Sequence, residues 1–400
     1  MSKPSTLFVS AGEPSGDTHG AHLLEALGQA APGLTARGFG GRCLAAAGLE
    51  ILEDLPSQAV MGLFPVIKAL PRIRGWFTQA LKSLDSNPPD AVILIDYPGF
   101  NLRLAAAAKK RGLPVIYYIS PQVWAWNRRR VRRIARVVDL MCVILPFEET
   151  FYAGSGVPTF YGGHPLVDHL ETTTPNPRVL AGLRRMGGAP LVGLFPGSRM
   201  HVVDALMPAF IRAAGSLRER PTMGEARFVF AAADEELARM IQDYPGIRDL
   251  PHQVVTRHPY EVMRAADVIL TTSGTTTLEV AFHETPMVIA YRVSPILHAI
   301  GRLVVKVPHI GLANLVAGRG VVPEHVGSRL DPNALANDLE RFWTNAEART
   351  SCIEDLRQVR EGLAAPGSYR RTAARILEIL DDTESAVDRC GPTPGARNDS

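Results

Sequence analysis

An α/β fold of two doubly wound halves is what this sequence predicts, on three observations. Short apolar, β-branched runs recur along the chain, each closed by a loop of small or polar residues and followed by a helical pattern. The alternation begins at Thr6–Ala11, halts in a Pro-rich stretch at 172–177, and begins again at Leu191–Phe195. At 400 residues with 46% apolar content, the chain is long enough for the two cores this implies. The expected division is an N-terminal domain at 1–172 and a C-terminal domain with closing helices at 173–382. A disordered tail is expected at 383–400, where no apolar period remains.

Composition removes several classes of function. A net charge of +3 is too small to indicate a nucleic-acid partner. Cys43, Cys142, Cys352 and Cys390 form no C-x-x-C pair, which argues against a disulfide framework or a zinc site and fits a reducing cytosol. The first apolar run is too short for a signal peptide. No apolar segment approaches the roughly 20 residues that cross a bilayer, so membrane association would be peripheral.

Taken in order, the first strand runs into Gly12-Glu13-Pro14-Ser15-Gly16-Asp17 and a helix carrying His22, Leu23, Leu24 and Leu27. A G-x-G-x-x-G fingerprint is absent, which lowers the case for a nicotinamide or flavin enzyme. Ser15 and Asp17 suit either a ligand or a helix cap. Residues 58–84 crowd Met61, Phe64, Ile67, Trp76 and Phe77 beside Lys68, Arg72 and Arg74, either an exposed lip for acyl chains or membrane, or a buried helix with a basic outer face.

Ala91–Ile95 ends at Asp96, where ligand crevices of open α/β sheets lie, so Asp96 is either a general base or a cap. A strand at 115–119 leads into Trp124-Ala125-Trp126 and six arginines within 128–136, expected on one short helix packed through Val131 and Ile134. That run suits anionic lipid or a phosphorylated substrate, or is a solvated face. His164, before a proline, reads as structural.

The second half opens with strand 191–195 and the turn Pro196-Gly197-Ser198-Arg199, whose guanidinium suits a phosphate. Strands follow near 227–231 and 253–256, and then the most informative stretch, 266–284. There a buried strand ends in Ser273-Gly274-Thr275-Thr276 and a helix begins, so small residues and amides favour a diphosphate. Glu279, in that helix's first turn, would repel phosphate but could accept from ribose hydroxyls, or act as a helix-dipole acid without a ligand. Arg292 follows the next strand. Asn314 either binds a ligand or caps a turn.

Together, residues 12–17, 96–101, 120–126, 145–148, 163–165, 196–199, 272–279 and 314–319 resemble the lipid-A-disaccharide synthase family, over a span from Val9 to about Glu324. The resemblance implies the GT-B glycosyltransferase architecture, two Rossmann-like domains facing across a cleft, with the helices after Pro332 closing the second domain or crossing back to the first. It implies transfer of 2,3-diacylglucosamine from UDP to the 6-hydroxyl of 2,3-diacylglucosamine 1-phosphate, giving a β(1→6) disaccharide and UDP with inversion. Asp96 is the preferred base, with His19 as the alternative and Glu13 as an orienting or alternative acid-base group. Ser15, Gly16, Asp17, Gly197, Ser198, Arg199, Ser273, Gly274, Thr275, Thr276, Glu279, Arg292 and Asn314 are the expected substrate-binding residues.

No metal or cofactor is expected, since no D-x-D element occurs. The expected setting is the cytoplasm, peripheral on the cytoplasmic face of the inner membrane, with a homodimer allowed. Pro14, Val202 and Ala313 depart from the family's usual alanine, glutamate and proline. The rival readings are a UDP-N-acetylglucosamine 2-epimerase-like enzyme and a non-catalytic nucleotide-sugar-binding protein.

Overall fold

The computed structural model describes residues 5–58, 63–126, 128–184, 189–295 and 307–389, with backbone alone at 63–69, 126, 128 and 382–389. Contacts divide the chain into Met1–Pro165 with Gly367–Ser400, and Leu166–Pro366.

The first unit holds seven parallel strands: β1 (Thr6–Ala11), β2 (Thr35–Phe39), β3 (Glu50–Glu53), β4 (Ala91–Ile95), β5 (Val115–Tyr118), β6 (Leu140–Val143) and β7 (Thr159–Tyr161), in the order β3-β2-β1-β4-β5-β6-β7. Every residue of β4 is buried, so it reads as an unbroken apolar run rather than an alternating one. Successive residues still divide between two cores. Phe8, Val92, Leu94 and Tyr117 share a core with Trp76, Ala80 and Leu84 of helix α3 and Phe100 and Leu104 of helix α4. Leu7, Val9, Ile93 and Ile95 share the other with Leu23, Leu24 and Leu27 of helix α1 and with Ala373, Ile376 and Leu380. These helices are α1 (Pro14–Ala30), α2 (Arg42–Ala46), α3 (Leu63–Ser86) and α4 (Pro98–Lys109).

The second unit repeats the plan with β8 (Leu191–Phe195), β9 (Arg227–Ala232), β10 (His252–Thr256), β11 (Val268–Thr272), β12 (Met287–Arg292) and β13 (Glu324–Gly327), in the order β10-β9-β8-β11-β12-β13. All its strand pairs are parallel. In each sheet the chain winds outward from its first strand, returns, and continues on the other side. The order therefore reverses between β1 and β4 and again between β8 and β11. The carboxyl ends of strands at such reversals are where open α/β sheets bind ligands.

Several expectations shift. The helix Ser368–Arg389, expected to lie in the C-terminal domain, belongs to the first unit, because Ala373, Ile376 and Leu380 complete the core on the α1 side of that sheet. It also runs through 383–389, part of the expected disordered tail; 390–400 lie outside the described residues. The arginine run is a 3-10 turn at Arg128–Arg130 followed by a short helix at Val131–Ile134, rather than one helix. Ile134 is buried and Val131 packs on the core, while Arg132, Arg133 and Arg136 are exposed.

The apolar segment divides as well. Trp76 is buried, and Ile73 and Phe77 pack against the same core, so this end of the expected lip is interior. Leu70 is 40% exposed. Val60 and Met61 lie outside the described residues, as do the side chains of Phe64 and Ile67. Trp124 is likewise buried, its indole N–H donating to Glu148 Oε1 at 3.1 Å.

Candidate active site

The reversal between β1 and β4 brings Glu13 and Asp96 to neighbouring strand ends. Glu13 is the N-cap of α1, and Asp96 follows β4 directly. Asp96 and Tyr97 both hold left-handed backbone, with φ of 44° and 49°, and Ile119 after the adjacent β5 does the same at 66°. Residues bearing a Cβ resist that region, a β-branched isoleucine most of all, and such strain gathers where a side chain has to be aimed. Burial raises the Asp96 carboxyl to about 6, the charge of Glu13 adds to the rise, and the Tyr97 backbone amide offsets part of it. A carboxylate poised there is a competent base near neutral pH.

His19 lies further along α1. Its Nδ1 is 2.9 Å from the Tyr369 hydroxyl, and burial, with the nearby His22, holds its pKa down at about 4. The imidazole is therefore neutral at physiological pH. His164 is buried and pushed to about 3 by burial and by His19, in line with a structural residue.

Asp17 is tied to the start of a neighbouring helix. Its buried carboxylate accepts from the amides of Gly41 at 2.6 Å, Cys43 at 3.0 Å and Leu44 at 3.2 Å, satisfying the otherwise open start of α2. Ser15 is exposed and Gly16 buried in the first turn of α1.

The reversal between β8 and β11 gathers the second set. A Cβ on Gly197 would lie 3.5 Å from Thr272 Cγ2, so the turn after β8 rests against the end of β11. Arg199 is the exposed N-cap of the helix Met200–Arg218, and none of the ion pairs among the described residues engages it. Gly274 has φ of 146°, and a Cβ there would meet nothing within 4 Å, so the turn is open in front. Thr275 is the N-cap and Thr276 the first residue of the helix Thr276–Phe282. The Ser273 hydroxyl donates to Ile310 O at 3.0 Å. Thr272 Oγ1, beneath the turn, is buried with no partner among the described residues.

Burial raises the pKa of Glu279, while Tyr260 and Thr276 oppose the rise. Tyr260 donates to its Oε1 at 3.4 Å, a partner the sequence did not reveal. Arg292 donates from Nε to Ser328 O at 3.3 Å and from Nη1 to Ala205 O at 3.1 Å.

Asn314 is fully engaged within its own segment. Its Oδ1 accepts from Val321 N and Val322 N, and its Nδ2 donates to Val322 O and to Glu324 Oε1. Of its two readings, the turn-fixing one accounts for every one of these bonds. The Glu324 carboxylate, missed from sequence, also receives the amides of Ile310 and Gly311. The departure at Ala313 has a local use: its amide donates to Thr277 Oγ1 at 3.4 Å, a bond that proline cannot supply. Val202 packs beneath the Gly197 turn.

A family model described as lipid-A-disaccharide synthetase matches residues 7–375. The lipid-A-disaccharide synthase of Syntrophotalea carbinolica is 42% identical over 383 residues, covering 95% of this chain and 96% of its own length. That of Trichlorobacter lovleyi is 40% identical over 387 residues, covering 96% and 100%. Among solved structures, the glycotransferase of kitacinnamycin superposes with a TM-score of 0.64 at 15% identity, covering 95% of this chain and all of its own. MurG of Acinetobacter baumannii gives 0.58 at 15% identity, covering 94% and 100%. A putative UDP-N-acetylglucosamine 2-epimerase from Listeria monocytogenes gives 0.59 at 13% identity, covering 96% and 98%. At these identities the solved structures establish the fold, which glycosyltransferases and the epimerase share.

Proposed function

This chain belongs to the lipid-A-disaccharide synthase family, a glycosyltransferase of lipid A biosynthesis, and on that footing we propose how its residues divide the work. The substrates are UDP-2,3-diacylglucosamine and 2,3-diacylglucosamine 1-phosphate. The products are UDP and the β(1→6) disaccharide 1-phosphate. The donor's α linkage becomes β, so the acceptor oxygen displaces UDP in one in-line step without a covalent intermediate.

The second unit holds UDP. Arg199 and the turns at 197–198 and 273–276 meet the diphosphate, where fixed cations and amides stabilise charge developing on the leaving group. Glu279 accepts from the ribose. Asp96 removes the proton of the acceptor 6-hydroxyl, with Glu13 tuning its affinity for that proton. The observation that carries this reading is topological: two sheets of one strand order each reverse where a set of expected residues sits. We also place the enzyme peripherally at the cytoplasmic face of the inner membrane, because both substrates carry acyl chains. None of the helices among the described residues is long and apolar enough to cross a membrane. A homodimer is part of the proposal on resemblance alone.

Incubation with the acylated UDP-sugar and the acceptor, followed by mass detection, should yield the disaccharide and equimolar UDP. Conversion of UDP-N-acetylglucosamine to its manno epimer, with no disaccharide formed, would instead favour the epimerase-like reading. Co-sedimentation with anionic vesicles tests the membrane contact, and sedimentation equilibrium the dimer.

A further inference from the structure

Tyr117 is wholly buried in β5, beside β4 in register with Leu94, and its hydroxyl needs a partner there. That hydroxyl donates to the backbone carbonyl of Asp96 at 2.6 Å. The same carbonyl accepts from Asn101 Nδ2 at 2.9 Å. Asn101, fully buried on α4, also donates to Ile95 O at 3.1 Å and Ser10 O at 3.2 Å, while its Oδ1 accepts from Ser10 Oγ at 2.8 Å. The Tyr97 ring lies across Gly12, where a Cβ would come within 2.2 Å of it. Two consecutive left-handed residues with side chains are thus held by buried donors to the Asp96 carbonyl and by a close ring contact at Tyr97.

We propose that Tyr117 is a positioning residue for Asp96, acting through the Asp96 peptide carbonyl to keep the carboxylate aimed at the acceptor hydroxyl. This rests on the assignment of Asp96 as the base. Hydroxyls in cores need partners. Here the chosen acceptor is the carbonyl of the strained residue itself, shared with a second buried donor. The pairing therefore bears on the direction of one side chain as well as on stability. When the hydroxyl is removed, Asn101 still holds the carbonyl, so the turn persists and loosens rather than collapsing.

Tyr117→Phe keeps the ring and its volume and deletes one donor. In steady-state assays of the full chain, kcat should fall on the order of tenfold, the rate equivalent of one hydrogen bond. KM for both substrates and UDP affinity should stay within about twofold, since an effect confined to the transition state leaves ground-state binding alone. The acidic limb of the kcat profile should move below the value of about 6 set by burial and Glu13, as the loosened carboxylate gains water. Replacing Tyr117 with 4-aminophenylalanine, which retains a para donor, should restore most of the rate and the original limb.

Asp96→Asn serves as the control. If it is inactive while Tyr117→Phe keeps wild-type kcat and an unmoved limb, the positioning role is overturned and the base assignment stands. If Asp96→Asn keeps near-normal turnover, both are overturned together. Should Tyr117→Phe fail to fold, the 4-aminophenylalanine protein decides: folded and active with the original limb supports the role, and folded but slow overturns it.

Discussion

Two side chains compete for the acid-base role, and their environments push them to opposite ends of the useful range. A base works once deprotonated, so the rate must rise with pH through the pKa of whichever group acts. Burial and Glu13 put that rise near 6 for Asp96, whereas burial and His22 would put it near 4 for His19. The acidic limb of kcat is thus expected near 6, and a limb near 4 would transfer the role to His19. Asp96→Asn should lower kcat by about 10²–10⁴-fold, the usual worth of a positioned base, with UDP affinity retained. His19→Ala should leave the limb where it is. The strand-end placement of Asp96 was legible in the sequence, since an apolar run that stops at a carboxylate is a local pattern. The left-handed turn that aims it was not, because its supports, Tyr117 and Asn101, meet it only through folding.

Among the elements, α2 shows how a residue of a family motif can serve the scaffold. Its first amides have no intrahelical acceptor, and Asp17 from α1 accepts three of them. Asp17→Ala should therefore destabilise the first unit by about 1–3 kcal/mol, the cost of leaving buried donors unmatched. Denaturant unfolding measures this. UDP binding, assigned to the second unit, should be unchanged, and a large loss of nucleotide affinity without loss of stability would return Asp17 to the binding set. The segment 58–84 teaches a related lesson. Its apolar and basic residues left lip and core both open, and Trp76, Ile73 and Phe77 turn inward because α3 packs on the same face of the sheet as α4.

At the scale of the whole molecule, the last long helix belongs with the first unit, although the expected domain bounds counted it with the second. Deleting 367–400 should leave the second unit able to bind UDP but lower the stability of the first. Losing the burial of Ile376 and Leu380 against that core alone costs about 3–6 kcal/mol. Calorimetry of the shortened chain, with and without UDP, distinguishes the two units; a first unit that melts as in the full chain would contradict this. Chelation is the second test at this scale. If Arg199 and the amides of the two turns carry the leaving diphosphate, EDTA should not change the rate, and full inhibition reversed by magnesium would count against them.

Sequence by itself determined what depends on neighbours along the chain: strands that end in small loops, the repeated α/β plan, and the motif set that led to the right family. Apolar runs, turn residues and helix starts are written within a few positions of one another, so their signal survives without coordinates. Only the tertiary structure decided which polar atoms were already spoken for. Asp17, Arg292 and Asn314 carry hydrogen bonds to backbone groups within their own units that no local pattern in the sequence marks. It also decided that the final helix completes the first sheet's core and that Tyr117 reaches Asp96 from the adjacent strand. The physical reason is the same in each case. A buried donor or apolar face must find its partner wherever folding brings one, and that partner's place in the chain carries no local mark.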